Sequence, residues 1–406
     1  MAVTSASGAV TRYQRDSQGG VIGVLFPDGT NRNYAYSPAG DLAAESDNRG
    51  LSNRYEYDAL GRLARERKIS GLEVLYQYDV LGNLYRVQDN LGGAVVQQYD
   101  LVGRLVTRTG PTGAATRYRY DPAGRLAEVI DPLAQSQRIH YTPAGEVAQI
   151  IEPTGDATAY SYGLDGSLSE IRHPGGGATR LAWDAMGSLT ATVNPLGAKT
   201  VASYDAAGRL ASATDAKGQI TRFLHDSAGR LIEKRLAGGK SVRYKYDAGG
   251  TLLEADDGAF PVRCAYDNQG RLTRVEYPTI RRSLSYAYDL EGRLARFTGS
   301  EGETVQYRYD RAGRMTGILL ADGRAIQLTY DAADRLTSVR YPNGVRGAWE
   351  YDGRGLITGI AHTDSAGAVL ARWSYTYDAA DNPVRAVDAQ GRVTEYRYDG
   401  AGRLLE

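Results

Sequence analysis

Tyr57-Asp58-Ala59-Leu60-Gly61-Arg62-Leu63 recurs as Tyr99-Asp100-Leu101-Val102-Gly103-Arg104-Leu105. It recurs again as Tyr120-Asp121-Pro122-Ala123-Gly124-Arg125-Leu126 and as Tyr204-Asp205-Ala206-Ala207-Gly208-Arg209-Leu210. The first position of this heptad falls at 15, 36, 57, 78, 99, 120, 141, 162, 183, 204, 225 and 246, every step 21 residues. It continues at 266, 288, 309, 330, 351, 377 and 398. Of these nineteen copies, sixteen open with Tyr, sixteen have Asp second and seventeen have Gly fifth, so chance is excluded. The exceptions at the first position are Arg15, Trp183 and His225. A fixed period of this size marks a repeat architecture. The 406 residues would otherwise suggest two or three domains. The chain instead reads as a lead-in at 1–7 and one array over 8–406.

Each repeat holds two turns. In the heptad, Ser37-Pro38-Ala39-Gly40 and Asp121-Pro122-Ala123-Gly124 show the type. The first side chain accepts backbone N–H bonds, Pro presets φ, and Gly follows where φ is positive. A second turn lies midway, as in Pro27-Asp28-Gly29, Pro153-Thr154-Gly155 and Pro342-Asn343-Gly344. Between them, segments such as Thr304-Val305-Gln306-Tyr307-Arg308-Tyr309 alternate at period two, which predicts strand. The fold class is therefore all-β: tandem hairpins, about 38 strands, forming a curved antiparallel ribbon. At ~4.8 Å per strand the ribbon is on the order of 180 Å long, and sheet twist would curl it through about one superhelical turn around a hollow. Gly208 is expected at φ > 0, and Asp334 and Asp381, which replace that Gly, are expected in the same left-handed region. The 26-residue step from Tyr351 to Tyr377 predicts an enlarged turn around Thr363-Asp364-Ser365-Ala366-Gly367.

Composition removes several classes of function. Lys plus Arg equal Asp plus Glu at 48 each, which argues against a broad nucleic-acid footprint or attraction to an anionic membrane. The single cysteine, Cys264, rules out an internal disulfide. No run of ~18 apolar residues exists to span a membrane as a helix, and Met1–Gly8 does not read as a Sec signal. Thirty Tyr against four Phe says that the aromatic positions need a polar handle. The array is already in register at Gly8 and stops inside a repeat at Gly402-Arg403-Leu404-Leu405-Glu406. It therefore reads as a segment of a longer array lacking the caps that solenoids need.

The heptad at a 21-residue period resembles the YD-repeat or RHS-repeat family over residues 8 to 404. That family includes bacterial Rhs proteins, the B and C components of insecticidal Tc toxins, wall-associated proteins and teneurins. The resemblance implies a β-ribbon spiralling into a hollow shell that, in toxin members, encloses a C-terminal toxic polypeptide. It implies a shell segment of an exported protein, with the toxin cargo and the rest of the shell as partners. The alternative is a cell-surface adhesion or carbohydrate-binding module. The family's self-cleavage motif resembles Asp-Pro-x-Gly-Leu; here Asp121-Pro122-Ala123-Gly124 is followed by Arg125 and is a repeat turn.

The residues singled out are the repeat motif itself: Tyr57, Asp58, Gly61, Arg62, Leu63; Tyr99, Asp100, Gly103, Arg104, Leu105; Tyr120, Asp121, Gly124, Arg125, Leu126; and Tyr204, Asp205, Gly208, Arg209, Leu210. Its Asp ladder is read as turn capping, with charge offset by the Arg four residues on, rather than as a cation site. Ser37 and Thr142 take the Asp position where capping ability alone is kept. Tyrosine pairs such as Tyr34/Tyr36, Tyr55/Tyr57, Tyr244/Tyr246 and Tyr396/Tyr398 are read as cross-strand packing, with sugar stacking as the competing role. His140, His173, His225 and His362 fall at unrelated phases, with His225 in a Tyr position. Gly239-Lys240-Ser241 imitates the end of a phosphate loop, but Lys234 stands where its first Gly belongs. Gly175-Gly176-Gly177 reads as a turn, and Cys264 as a small hydrophobe. No Gly-x-Ser-x-Gly occurs. No catalytic, cofactor or metal residue is assigned, and no enzyme activity is expected.

Overall fold

The computed structural model describes residues 1–4, 10–27, 29–47, 50 and 52–406. Gly8, where the array is expected to begin, and Asp28 of the Pro27-Asp28-Gly29 turn lie outside them. Among the described residues thirty-eight strands, from Ala2–Thr4 to Val393–Glu395, form one antiparallel sheet. Among the described residues there is no α-helix, only a 3-10 turn at Pro278–Ile280. Ala2–Thr4, within the expected lead-in, pairs with Val10–Arg12. The sheet does not close: among the described residues the first strand meets only the second, and Val393–Glu395 meets only Pro383–Asp388.

Both turns of a repeat use one backbone design. Asp205 N–H donates to the Arg209 carbonyl at 2.9 Å and Gly208 N–H to the Asp205 carbonyl at 2.9 Å. Midway, Asp215 N–H donates to Gln219 at 3.0 Å and Gly218 N–H to Asp215 at 2.9 Å. Gly208 and Gly218 sit at φ 76° and 79°, in the left-handed region that glycine enters without Cβ strain. The register slips at heptad after heptad, as between Ser203↔Ser212 and Tyr204↔Leu210 or between Thr329↔Ser338 and Tyr330↔Leu336, a bulge that sharpens local twist.

Alternation sorts the side chains. One face carries the residue two before the heptad Tyr and its cross-strand partner: Tyr160↔Ile171, Cys264↔Val275, Leu328↔Val339. The buried apolar residues Val24, Val275, Val339 and Ala386 all lie there. Cys264 is half-buried on that face, as a small hydrophobe would be. The opposite face is charged and laced with ion pairs such as Arg180–Glu170 and Arg263–Glu254. No described side chain is fully buried, because a single layer has nothing packed over it. Stability must therefore come from the ladder, from cross-strand pairs and from links between neighbouring repeats.

The chain forms two compact units. One comprises Asp121–Glu128 with Ser136–Ser285. The other comprises Met1–Tyr120, Val129–Gln135 and Tyr286–Glu406. Within this latter unit, a first pass of ribbon and a second pass meet side by side. Ser70 Oγ–H donates to the Ala332 carbonyl at 2.8 Å across 262 residues of sequence. A Cβ at Gly353 would meet the Gly92 carbonyl at 3.5 Å and Pro111 at 3.8 Å. The mid-repeat turns of the first pass thus rest on the heptad turns of the second.

The long step between Tyr351 and Tyr377 is resolved differently from expectation. The turn at Asp364 is regular: Asp364 N–H donates to Ala368 at 2.9 Å and Gly367 N–H to Asp364 at 3.1 Å. The surplus residues lengthen the strands instead, Ile357–Thr363 to 7 residues and Val369–Tyr377 to 9. Extending a ladder gains a hydrogen bond per added pair, whereas enlarging a turn only adds disorder.

Candidate functional site

The recurring residues gather on the rim formed by the heptad turns and tie each repeat to the next. Asp331 Oδ1 accepts the backbone N–H groups of Ala333 at 2.9 Å and Arg335 at 3.0 Å. Its Oδ2 accepts Arg335 Nε at 2.6 Å. The Arg335 guanidinium lies over the ring of Tyr351, one repeat on, 4.7 Å from its centre, and its Nη1 donates to the Asp352 carbonyl at 3.2 Å. Tyr351 Oη–H reaches back to the Leu336 carbonyl at 2.8 Å. Asp, Arg, Tyr and Leu therefore form a chain of contacts running along the rim, with charge-assisted bonds at its strongest points.

The residues predicted from sequence fall in this pattern. Asp58, Asp100, Asp121 and Asp205 each accept the backbone N–H and the Nε of Arg62, Arg104, Arg125 and Arg209, at 2.7–3.0 Å. Arg62, Arg104 and Arg125 cover the rings of Tyr78, Tyr120 and Tyr141 at 4.4, 4.7 and 4.4 Å. Tyr57, Tyr99, Tyr120 and Tyr204 donate to the carbonyls of Leu42, Leu84, Leu105 and Leu189, at 2.8–3.0 Å. The Leu63 carbonyl receives Tyr78, and that of Leu126 receives Tyr141. Leu210 pairs with Tyr204 across the bulge. Gly61, Gly103, Gly124 and Gly208 all have φ between 76° and 82°.

The electrostatics follow the contacts. The Arg62 guanidinium and backbone N–H hold the Asp58 carboxyl below the usual carboxylate range. At Asp331 partial burial works the other way, but the Arg335 backbone N–H and guanidinium together outweigh it, and the net direction is down. Burial raises the phenols of Tyr330 and Tyr351, which therefore stay protonated as donors. Tyr55, on the apolar face, is pushed up to about 12 by burial and by its hydrogen bond to Glu45.

Departures from the motif rebuild the same links. Trp183 donates its Nε1–H to the Leu168 carbonyl at 2.7 Å, doing the work of the Tyr hydroxyl. Asn83 and Asn382 replace Arg but still reach Asp79 and Asp378 at 3.0 Å. In the heptad at 351 the Arg position holds Leu356, and Arg354, two residues earlier, takes over. Its Nε binds Asp352 at 2.8 Å, and it stacks on Tyr377 at 5.6 Å. Asp334 and Asp381 stand in the left-handed Gly position at φ 64° and 68°. Each accepts an Arg Nη1 from the preceding repeat, Arg314 at 3.0 Å and Arg354 at 2.7 Å.

Sequence reasoning placed the Asp–Arg pair and the capping but missed the Arg–Tyr stack and the hydroxyl-to-carbonyl bond. The preference for Tyr over Phe was the available signal. The remaining candidates separate. His173 Nε2 meets Thr179 Oγ1 at 3.0 Å, while His362 lies edge-on between Trp349 and Trp373, ring centres 6.1 and 6.3 Å away. Gly239-Lys240-Ser241 and Gly175-Gly176-Gly177 belong to regular turns, closed by Leu236 N–H to Lys240 at 2.8 Å and His173 N–H to Gly177 at 2.8 Å. Among the described residues no three His, Cys, Asp or Glu are grouped to hold a metal, and no helix is long and apolar enough to cross a membrane.

An open single-layer sheet of hairpins, locked along one rim by a Tyr-Asp-Arg chain, defines a hairpin-repeat scaffold protein. The family comparison agrees: the RHS Repeat model matches residues 36–71, 57–94, 99–136, 204–234 and 225–259, and the Teneurin YD-shell model matches 250–404. The chain belongs to the RHS-repeat, or YD-repeat, family. No curated protein matches it. In fold it is similar to the crystal structure of TcdB2-TccC3, with a TM-score of 0.67 at 15% identity, over 100% of this chain and 29% of that one. TcdB2-TccC3 without its hypervariable C-terminal region gives 0.66 at 14%, over 100% and 31%. TcdB2-TccC3-Cdc42 gives 0.65 at 14%, over 99% and 31%. The chain thus spans about three-tenths of the length of these chains.

Proposed function

We propose that the chain is a non-catalytic wall segment of an Rhs/Tc-type toxin shell. In the complete, exported protein its role is to enclose a C-terminal toxin polypeptide, with that cargo and the remaining shell as its partners. The observation that carries this reading is the end-to-end likeness of the fold to TcdB2-TccC3. The side-chain chemistry supports it. The rim carboxylates and guanidiniums are engaged with one another, so the recurring charges serve the wall and not a reaction. Heptad tyrosines such as Tyr78, Tyr141 and Tyr351, which an adhesion module would offer to sugars, have one ring face covered by Arg and hydroxyls bound to carbonyls.

The test is limited proteolysis of the complete protein that carries this segment. The polypeptide downstream of the shell should resist digestion, whereas the same polypeptide expressed alone is degraded. Equal digestion in the two settings overturns the enclosure reading.

A further inference from the structure

On the charged face of the sheet, one repeat position separates two regions. Eight residues after the heptad Tyr position stand Glu128, Glu170, Glu233 and Glu254. These carboxylates neutralise the cations around them. Glu170 meets Arg172 and Arg180, both at 3.0 Å, and Glu254 meets Lys245 at 2.6 Å and Arg263 at 2.9 Å. Further along the chain the same position holds Arg296, Gly317 and Ser338, while arginines continue on that face. Arg296 opposes Gln306, Arg308 opposes Gly317, and Arg340 stands between Gln327 and Arg346. The four arginines are exposed, and among the described residues none of them forms an ion pair. Arg346 Nε donates to Ser338 Oγ at 3.2 Å, where the other region has a carboxylate. Nearby acids are turned aside: Glu350 lies over Gly359, Glu303 over Gly299, and Asp322 is held by Arg324 at 2.6 Å. Like charges directly opposite, as at Arg340 and Arg346, destabilise a bare sheet, and an anion between them removes that cost.

We propose that Arg296, Arg308, Arg340 and Arg346 form a docking strip for an acidic polypeptide segment laid across the strands. From Arg296 to Arg346 the strip crosses five strand steps, about 24 Å, the reach of about seven extended residues. Its guanidinium groups fit carboxylates, and Gln306 and Gln327 add hydrogen-bonding amides beside them. The chemistry favours a peptide over a nucleic acid or a glycan. Bases and sugars are held largely by stacking on aromatic rings, and the rings of these strands, Phe297, Tyr307 and Trp349, alternate onto the opposite face. Further ribbon is no rival for the strip. Passes of the ribbon meet rim to rim, as Ser70 meets Ala332, and such a contact leaves a sheet face open. The balanced charge of the whole chain conceals the strip, because its excess of arginine is local. The inference is independent of the enclosure reading.

The test is fluorescence anisotropy with the 406-residue chain and a labelled peptide of alternating Glu and Ser, about eight residues long to match the strip. Three variants are compared with the parent. Arg340→Gln/Arg346→Gln removes two cations of the strip. Ser338→Glu keeps every arginine but restores the carboxylate at the position that Glu170 and Glu254 fill. Arg180→Gln/Arg243→Gln changes the net charge as the first variant does, but at arginines already engaged with Glu170 and Glu233. Matching far-UV circular dichroism spectra check that all four sheets form. The parent and the Arg180/Arg243 variant should bind the peptide saturably and alike. Binding by the other two should be weaker by about tenfold or more, as loss of charge-assisted bonds at two guanidiniums requires. A parent that does not bind saturably overturns the proposal, and so does equal weakening in all three variants, which would mean attraction to overall charge. Tighter binding of an oligothymidylate or a sulfated oligosaccharide through the same arginines overturns the assignment to an acidic polypeptide.

Discussion

At Asp205–Leu210 and at Asp215–Gln219 the backbone closes with the same pair of hydrogen bonds and a left-handed glycine. The heptad turn nevertheless repeats its side chains from copy to copy, while the mid-repeat turn opens variously with Lys68, Asp131, Glu152, His173, Asn194, Leu236 and Tyr341. The turn as such asks for one residue able to take positive φ and little else. What the recurring Tyr, Asp and Arg supply is attachment between repeats. In a single-layer sheet that attachment substitutes for the second layer that buries a core in most folds.

Acid should have the largest effect, because it acts on every rim link at once. Many heptad carboxyls, among them Asp58, Asp205, Asp310 and Asp331, are held below their ordinary range in the folded chain. A lowered folded value means that the stabilisation is complete above the unfolded value of about 4 and is lost as pH falls through the folded values. Urea midpoints should therefore be level from pH 8 to 6 with respect to these groups and fall steeply below about 4. A midpoint unchanged at pH 3 would mean the rim carboxylates do not hold the array together.

Single substitutions separate the two turns. Asp331→Ala removes two backbone caps and the link to Arg335 and through it to Tyr351, and should cost about 2–3 kcal/mol. Asp215→Ala removes two backbone caps alone and should cost about 1 kcal/mol. Equal losses in urea titration would break the distinction. The glycines should behave alike, since the backbone is shared: Gly208→Val and Gly218→Val each strain a left-handed position by roughly 1–3 kcal/mol. A large cost at one and none at the other would show that the turns differ in more than side chains.

Much of this was legible because it is local. The period, the two turns, the Asp caps and the left-handed Asp334 and Asp381 all follow from a window of one or two 21-residue repeats. Three features escaped that window. Arg354 replaces the motif Arg from two positions away, which no pattern match reports, because the guanidinium's reach and not its place in the heptad is what counts. The surplus before Tyr377 entered the strands, a choice between ladder and loop energies that spacing alone does not express. The contact of Ser70 with Ala332 joins residues 262 apart in sequence, which no local pattern reports.

The smallest effect should come from the mid-repeat turn that, alone among the described residues, has its left-handed position filled by alanine. Ala134 closes the turn at Asp131, donating its N–H to the Asp131 carbonyl at 3.0 Å, with φ at 63°. An L-residue in this region carries roughly 1–2 kcal/mol of Cβ strain. Glycine relieves that strain but adds about 0.4–1 kcal/mol of conformational freedom to the unfolded chain. Ala134→Gly should thus stabilise by about 0.5–1 kcal/mol, a small upward shift of the urea midpoint. Asp334→Gly relieves less strain at a heptad turn, since Asp tolerates the left-handed region better than Ala, and also removes the carboxylate that pairs with Arg314 at 3.0 Å, so its gain should be smaller. If Asp334→Gly gains as much as Ala134→Gly, the cross-repeat ion pair contributes nothing, and the heptad rim is a set of separate turns and not a connected chain.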